Sequence, residues 1–126
     1  MVMVKTYRKG YAAENQLVHL LYARGYAVMR APRSGRVGLP TPDLVAIRGK
    51  KVLVIECKSR KTGFTVEREQ LEQLKEWKRR TGGAAYIAWK RTRLGWLFLK
   101  LADVIKNKGN VGKKFAEEYG IKIDDI

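Results

Sequence analysis

The 126-residue chain has one cysteine, one histidine and only three prolines, and these shortages close off whole classes of protein. A single thiol, Cys57, cannot form an intrachain disulfide, so a disulfide-stapled scaffold is excluded and a reducing compartment is expected. One cysteine and one histidine, His19, do not make the ligand set of a zinc site. There is no run of about 20 apolar residues, so no membrane span is expected. Met1-Val2-Met3-Val4 is too short an apolar stretch for a secretory signal. Acid is also scarce: 12 Asp and Glu stand against 27 Lys and Arg, a net charge of +15. That excess calls for a polyanionic partner, nucleic acid before membrane. The basic residues recur in blocks from Lys5 to Arg93 rather than in one tail. This spread suits a folded surface gripping phosphates along a path, with a merely solvated basic face as the plainer alternative. The apolar fraction of 45% supports a real core, and the length fits one domain over 1–126. There is no internal repeat, low-complexity segment or linker.

The most informative stretch runs from Asp43 to Lys58. Leu44-Val45-Ala46-Ile47 and Val52-Leu53-Val54-Ile55 are apolar runs rich in β-branched residues, joined by Arg48-Gly49-Lys50-Lys51, which reads as a hairpin. A turn centred between Gly49 and Lys50 makes paired residue numbers sum to 99, so Asp43 faces Glu56. Directly opposed residues share a face, with Cβ atoms roughly 4.5–5.5 Å apart. Lys58, two residues beyond Glu56, shares that face, and Cys57 points to the other as a core thiol. Facing like charges repel. A hard divalent cation held between Asp43 and Glu56, beside Lys58, would offset the repulsion. The alternative is a surface hairpin with scattered charges.

Around this hairpin the chain reads in order as α-β-β-β-α-β-β and then helices, a mixed central β-sheet flanked by helices in the α/β class. Residues 1–6 form a loose N-terminal arm or a short added strand. A helix capped by Thr6 runs from Tyr7 to Arg24, with Ala13, Leu17, Leu20 and Leu21 on its buried face and Gly25 ending it. Glu14 lies beside that face, three, four and seven residues before Leu17, Val18 and Leu21. A carboxylate there needs a partner: it reaches Asp43 and Glu56, or else snorkels to water or pairs with a lysine. His19 falls among apolar neighbours and is structural. After a strand at 26–30, a loop over 31–42 contains all three prolines along with Arg33, Ser34 and Arg36. Loops of this length are usually functional or disordered. Its arginines can meet phosphates and Ser34 can hydrogen-bond one. A basic turn with Arg60 and Lys61 follows the hairpin. Thr65 is a candidate N-cap for a helix over 66–80, with Leu71, Leu74 and Trp77 as its core stripe and Gly82-Gly83 as its stop. Gln70, one turn before Leu74, either leans toward the sheet behind the carboxylates or is a plain polar surface residue. Strands over 84–89 and 95–99 carry Tyr86, Trp89, Trp96 and Phe98, as core or as dimer interface. Short helices over 102–108 and 111–119 precede a fraying end at 121–126.

Pro42-Asp43 followed by Glu56-Cys57-Lys58 resembles the PD-(D/E)XK nuclease superfamily. Three further stretches narrow the resemblance to the archaeal Holliday junction resolvases: Tyr7-Arg8-Lys9-Gly10 with Glu14; Arg30-Ala31-Pro32-Arg33-Ser34-Gly35; and Glu56-Cys57-Lys58-Ser59-Arg60-Lys61 leading to Val66-x-Arg68-Glu69-Gln70. The likeness covers a nuclease core over 7–100; nothing is carried over to the helices of 101–126.

The resemblance implies a restriction-endonuclease-like fold and a homodimeric, Mg²⁺-dependent endonuclease, with Mn²⁺ as substitute. Such an enzyme, archaeal or archaeal-viral in origin, resolves four-way (Holliday) junction DNA by paired symmetric nicks, in recombination and repair, within a cytoplasm beside the chromosome. Glu14, Asp43, Glu56 and Lys58 match the family's catalytic set, and Arg8, Lys9, Arg30 and Ser34 match DNA-contact or active-site positions. On this reading Asp43, Glu56 and the Cys57 backbone carbonyl hold the metal. Glu14 binds a second metal or a metal-bound water. Lys58 orients the attacking water or stabilises the phosphate. Arg33, Arg36, Arg60 and Lys61 add phosphate contacts. No base-reading helix stands out, so selectivity comes from shape and depends strongly on salt. Two other readings remain: a nuclease of the same superfamily acting on duplex or flapped DNA, and a non-catalytic DNA-binding module of the same fold.

Overall fold

The structure, a computed structural model, describes residues 2–31 and 38–126, with side chains from residue 10 onward. Its elements run α1 (Val2–Tyr22), β1 (Ala27–Arg30), β2 (Leu44–Arg48), β3 (Lys51–Arg60), β4 (Phe64–Thr65), α2 (Arg68–Thr81), β5 (Ala84–Arg91), β6 (Gly95–Lys100), α3 (Leu101–Lys106), β7 (Asn110–Val111) and α4 (Lys113–Tyr119), then a 3-10 turn (Ile123–Asp125). The expected hairpin forms around Gly49, whose φ of 60° suits a residue without Cβ. Its register runs from Leu44↔Ile55 to Arg48↔Lys51, each pair summing to 99. β1 pairs antiparallel outside β2, β5 lies parallel to β3 on its other side, and β6 pairs antiparallel with β5. The sheet order is β1-β2-β3-β5-β6.

Helices cover both faces, as the sequence pattern predicted. Leu17 and Leu21 of α1 pack on Leu44, Ala46, Leu53, Ile55, Tyr86 and Phe98. Leu71 and Leu74 of α2, with Leu101 and Val104 of α3 and Ala116 of α4, pack on Val54, Ala85, Ile87, Trp89 and Leu99. Full burial of a leucine contributes about 1.5–3 kcal/mol, so these leucines do much to hold α1 and α2 in place. β3 lies in the middle and is buried from Leu53 to Glu56. A strand covered on both faces reads as a continuous apolar run, which Glu56 interrupts.

Several boundaries differ from expectation. α1 begins at Val2 rather than Tyr7, because no glycine or proline interrupts 2–6; the expected arm is helical, and Thr6 lies within the helix instead of capping it. α2 begins at Arg68, with Glu67 at the N-cap making no side-chain cap bond. Thr65 instead belongs to β4, where its hydroxyl donates to Asn110 Oδ1 at 2.8 Å. The Val66 N–H donates to the Gly109 carbonyl at 2.8 Å, which ties Val66 into the β4–β7 pair. The C-terminus does not fray: Ile121 bridges to Phe98, Ile121 and Ile123 pack on the α1-side core, and Lys51 Nζ donates to the Ile126 backbone oxygen. His19 is exposed rather than set among core residues. Tyr86, Trp89 and Phe98 are core, while Trp96 is half-buried and donates to Gln16 Oε1 at 3.0 Å. No described helix is long and apolar enough to cross a membrane.

Candidate active site

β2 stops pairing at Leu44↔Ile55, whereas β3 continues beside β5 through Glu56↔Ile87, Cys57↔Ala88 and Lys58↔Trp89. From Glu56 onward β3 therefore has a strand on one side only among the described residues. The Cys57 N–H points into the opening and donates to Asp43 Oδ2 at 2.8 Å. The Asp43 carbonyl accepts from the Ala31 N–H at 2.9 Å, so Asp43 is tied to β1 through its backbone and to β3 through its side chain. The N–H and C=O of one residue in an extended strand point to the same side, so the Cys57 carbonyl also faces the opening.

The buried charged side chains among the described residues are Glu14 and Glu56, at 5% and 7% exposure. Both line a pocket of about 300 Å³ with Gly10, Ala13, Asp43, Cys57, Lys58 and Gln70. Larger space lies in a cleft of about 590 Å³ between α2 and α3, lined by Lys75, Arg79, Leu101 and Ile105, but no buried carboxylate faces it.

Burial pushes the Glu56 carboxyl up to about 8. The charge of Asp43 adds to this, Lys58 opposes it, and a hydrogen bond with Asp43 and the charge of Glu14 raise it further. The contact with Asp43 is the cross-strand meeting that the hairpin register implied. Gln70 of α2 spans the other side: Lys58 Nζ donates to its Oε1 at 2.9 Å, and its Nε2 donates to Glu56 Oε2 at 3.1 Å. Glu14 enters from α1, where Arg30 donates to its Oε1 through Nε at 3.3 Å and Nη2 at 3.2 Å. The Arg30 guanidinium lies 4.2 Å over the Tyr11 ring. Cys57 is partly buried as a residue, beside the opening, and packs against the α1-side core, on the face the alternation predicted. Burial, and then the charges of Asp43, Glu14 and Glu56, hold its thiol well above the ordinary thiol value, with Arg30 opposing. A thiol kept protonated is a poor nucleophile.

The pocket thus gathers Glu14, Asp43, Glu56, Lys58, Cys57 and Gln70, with Arg60 at its edge. Lys61 is exposed and lines a separate pocket with Arg91 and Lys113. Arg33, Ser34 and Arg36 lie outside the described residues, as do the side chains of Arg8 and Lys9. Sequence reasoning took Arg30 as a DNA contact and missed its pairing with Glu14. It also missed Tyr11, although Tyr11 lies three residues before Glu14 and so on the same helical face. The groups that could ligate a cation there, the carboxyls of Asp43 and Glu56 and the Cys57 carbonyl, offer oxygens and fit a hard divalent cation. Repulsion and desolvation that keep Glu56 protonated are what such a cation would offset. Among the described residues no three Asp, Glu, His or Cys converge tightly enough to hold a metal unaided; Mg²⁺ keeps several waters and needs only one or two carboxylates.

The arrangement can be compared with known proteins. A family model described as archaeal Holliday junction resolvase (Hjc) matches residues 5–126. The crossover junction endodeoxyribonuclease Hjc of Sulfurisphaera tokodaii is 35% identical, covering 94% of this chain and 85% of that protein. The enzyme of the same name from Archaeoglobus fulgidus is 31% identical, covering 91% and 98%. The solved structure of Archaeoglobus fulgidus Hjc, described as a Holliday junction resolvase from an archaeal hyperthermophile, matches with a TM-score of 0.82 at 30% identity, over 90% of this chain and 96% of that one. With sequence and fold agreeing over nearly the whole length, the chain belongs to the archaeal Holliday junction resolvase (Hjc) family.

Proposed function

We propose that this chain is a structure-selective endodeoxyribonuclease that resolves four-way DNA junctions by divalent-cation-dependent phosphodiester hydrolysis. The observation that carries the chemistry is the convergence of two buried carboxylates, Glu14 and Glu56, with Asp43 and Lys58 on one pocket. The family membership supplies the substrate class.

Asp43, Glu56 and the Cys57 carbonyl would hold Mg²⁺, with Mn²⁺ as substitute. When bound, the ion would lower the pKa of water and neutralise charge developing on the phosphate. Glu56 must give up its proton to serve as a ligand, so cation affinity falls as pH drops below about 8. In the reaction, a water oxygen bonds to phosphorus as the bond to the 3′ oxygen breaks, and that oxygen leaves with a proton. Lys58 donates toward the phosphate or the attacking water. Glu14, held by Arg30, closes the α1 side of the pocket and can accept from a water there. Arg30, Arg60 and Lys61, with Arg8, Lys9, Arg33, Ser34 and Arg36, supply phosphate contacts; such contacts position DNA without reading its sequence. Symmetric nicks require two sites at fixed spacing, so the working form is a homodimer acting at the chromosome.

The test is a panel of four-way, flapped and linear duplex DNA of matched sequence, incubated with Mg²⁺. Paired nicks in the four-way junction, with linear duplex left intact, are the expected result. Equal cutting of linear duplex would replace this reading with a general nuclease of the same fold, and tight junction binding without cleavage under any divalent ion would replace it with a binding module.

A further inference from the structure

The described cavities, charged clusters and exposed apolar side chains leave one group whose contacts are unusually definite: Gln70. It lies on α2, outside the Asp43-to-Lys58 hairpin, yet its side chain bridges two of the residues assigned to chemistry. We infer that Gln70 is a positioning residue that sets the spacing and orientation of Glu56 and Lys58; the inference rests on the function proposed above.

The direction of the bridge is forced by chemistry. A lysine amine that carries its proton has donors only, so it requires the Gln70 oxygen. The amide nitrogen is then turned toward Glu56 and donates to its Oε2. Two consequences follow. Glu56 Oε2 is held by the Gln70 amide, which fixes how the carboxyl is turned beside Asp43. Lys58 Nζ is drawn toward α2, with its remaining donors free for water or phosphate. Glu56 and Lys58 alternate with Cys57 on β3, so both project toward the α2 side of the sheet. The long lysine side chain could otherwise swing, and pair directly with Glu56. An ion pair of that kind would occupy the carboxylate and withdraw the amine from the opening; the amide, bonded to both, works against it. α2 is itself anchored by Leu71, next in sequence to Gln70, and by Leu74 one turn further on, both buried. The amide is therefore carried on a fixed element, as a supporting hydrogen bond should be.

Gln70→Met preserves length but removes both hydrogen bonds. Gln70→Glu keeps an acceptor for Lys58, but replaces the donor to Glu56 with a carboxylate. Both are measured by single-turnover cleavage of a four-way junction across a Mg²⁺ series, beside metal-free junction binding and thermal unfolding. Supporting interactions of this type change activity or metal affinity by about 10–100-fold. The expected result is a loss of that order in maximal rate for Gln70→Met, with metal-free binding unchanged. For Gln70→Glu, the Mg²⁺ concentration giving half-maximal rate should rise above that of both the wild type and Gln70→Met. A merely structural role would lower the unfolding temperature and junction binding without moving the Mg²⁺ midpoint. Wild-type rate and midpoint in Gln70→Glu would overturn the inference even if Gln70→Met fails to fold. Failure of the wild-type chain to cut any junction would instead overturn the proposed function.

Discussion

Glu56 is where the chain departs furthest from what folding alone would favour. A strand position covered on both sheet faces ordinarily takes valine or isoleucine, yet here it holds a carboxyl beside Asp43. The consequence for stability can be signed. Free of cation, Glu56 keeps its proton in the folded protein up to about pH 8, while in the unfolded chain it loses it near 4.5. Between those values the folded state binds more protons, so stability falls as pH rises through that window and is flat with respect to this group above it. The total is on the order of a few kcal/mol. Thermal unfolding in chelator, from pH 5 to 9, should show this decline in the wild type and a much shallower one in Glu56→Gln, which should be the more stable of the two at pH 8. Parallel curves would mean that the carboxyl is not held neutral. Much of this was legible beforehand: a hairpin turn at Gly49 and a count to 99 place Asp43 against Glu56. The bridge made by Gln70 was not legible. Its position on α2 says only that it can lean toward the sheet; which side chains it meets depends on how the helix docks.

At the scale of elements, the pocket exists because β2 begins only at Leu44, one residue after Asp43, while β3 continues past Ile55 along β5. The parallel β3–β5 pairing is therefore the frame that carries Glu56, Cys57 and Lys58. Gly83, between α2 and β5, sits against it: a Cβ there would lie 2.5 Å from the Val52 carbonyl oxygen and 2.9 Å from the Val52 Cβ. Gly83→Ala must push β5 from β3, at a cost of about 1–3 kcal/mol. Gly112 has nothing within 4 Å of such an atom, and Gly112→Ala should stay within about 0.5 kcal/mol. Chemical denaturation of the two variants checks the contrast, and equal midpoints would contradict it. Long periodic elements were readable from sequence: the stripe of Leu17 and Leu21, the hairpin, and the stop at Gly82, where φ is 69°. The β4–β7 pair was not, because two-residue strands have no periodicity to detect. Val66 and Thr65 instead looked like the start of α2. The packing of Ile121, Ile123 and Ile126 was equally hidden, since isolated isoleucines among acidic residues carry no pattern until β6 supplies Phe98 as a partner.

The whole molecule carries a charge of +15, and its substrate is a polyanion. Junction affinity in chelator should fall linearly with the logarithm of salt concentration, with a slope of about −0.9 for each phosphate neutralised on duplex arms. Arg60→Ala should reduce that slope, while Met at the same position should do no better than Ala. A salt-independent affinity would argue against a phosphate-dominated interface. Light scattering at micromolar concentration should give twice the 14.4 kDa chain mass, since a monomer would leave paired nicking without a second site. The central claim joins the charge, the family and the pocket: this protein cuts four-way junctions with a cation held by Asp43 and Glu56. Its most direct test is single-turnover cleavage of a four-way junction in Mg²⁺ by the wild type and by Glu56→Gln, with junction binding measured in chelator for both. The account predicts paired nicks by the wild type, a loss of about 10³-fold or more in Glu56→Gln, and equal binding. Undiminished nicking by Glu56→Gln would contradict it.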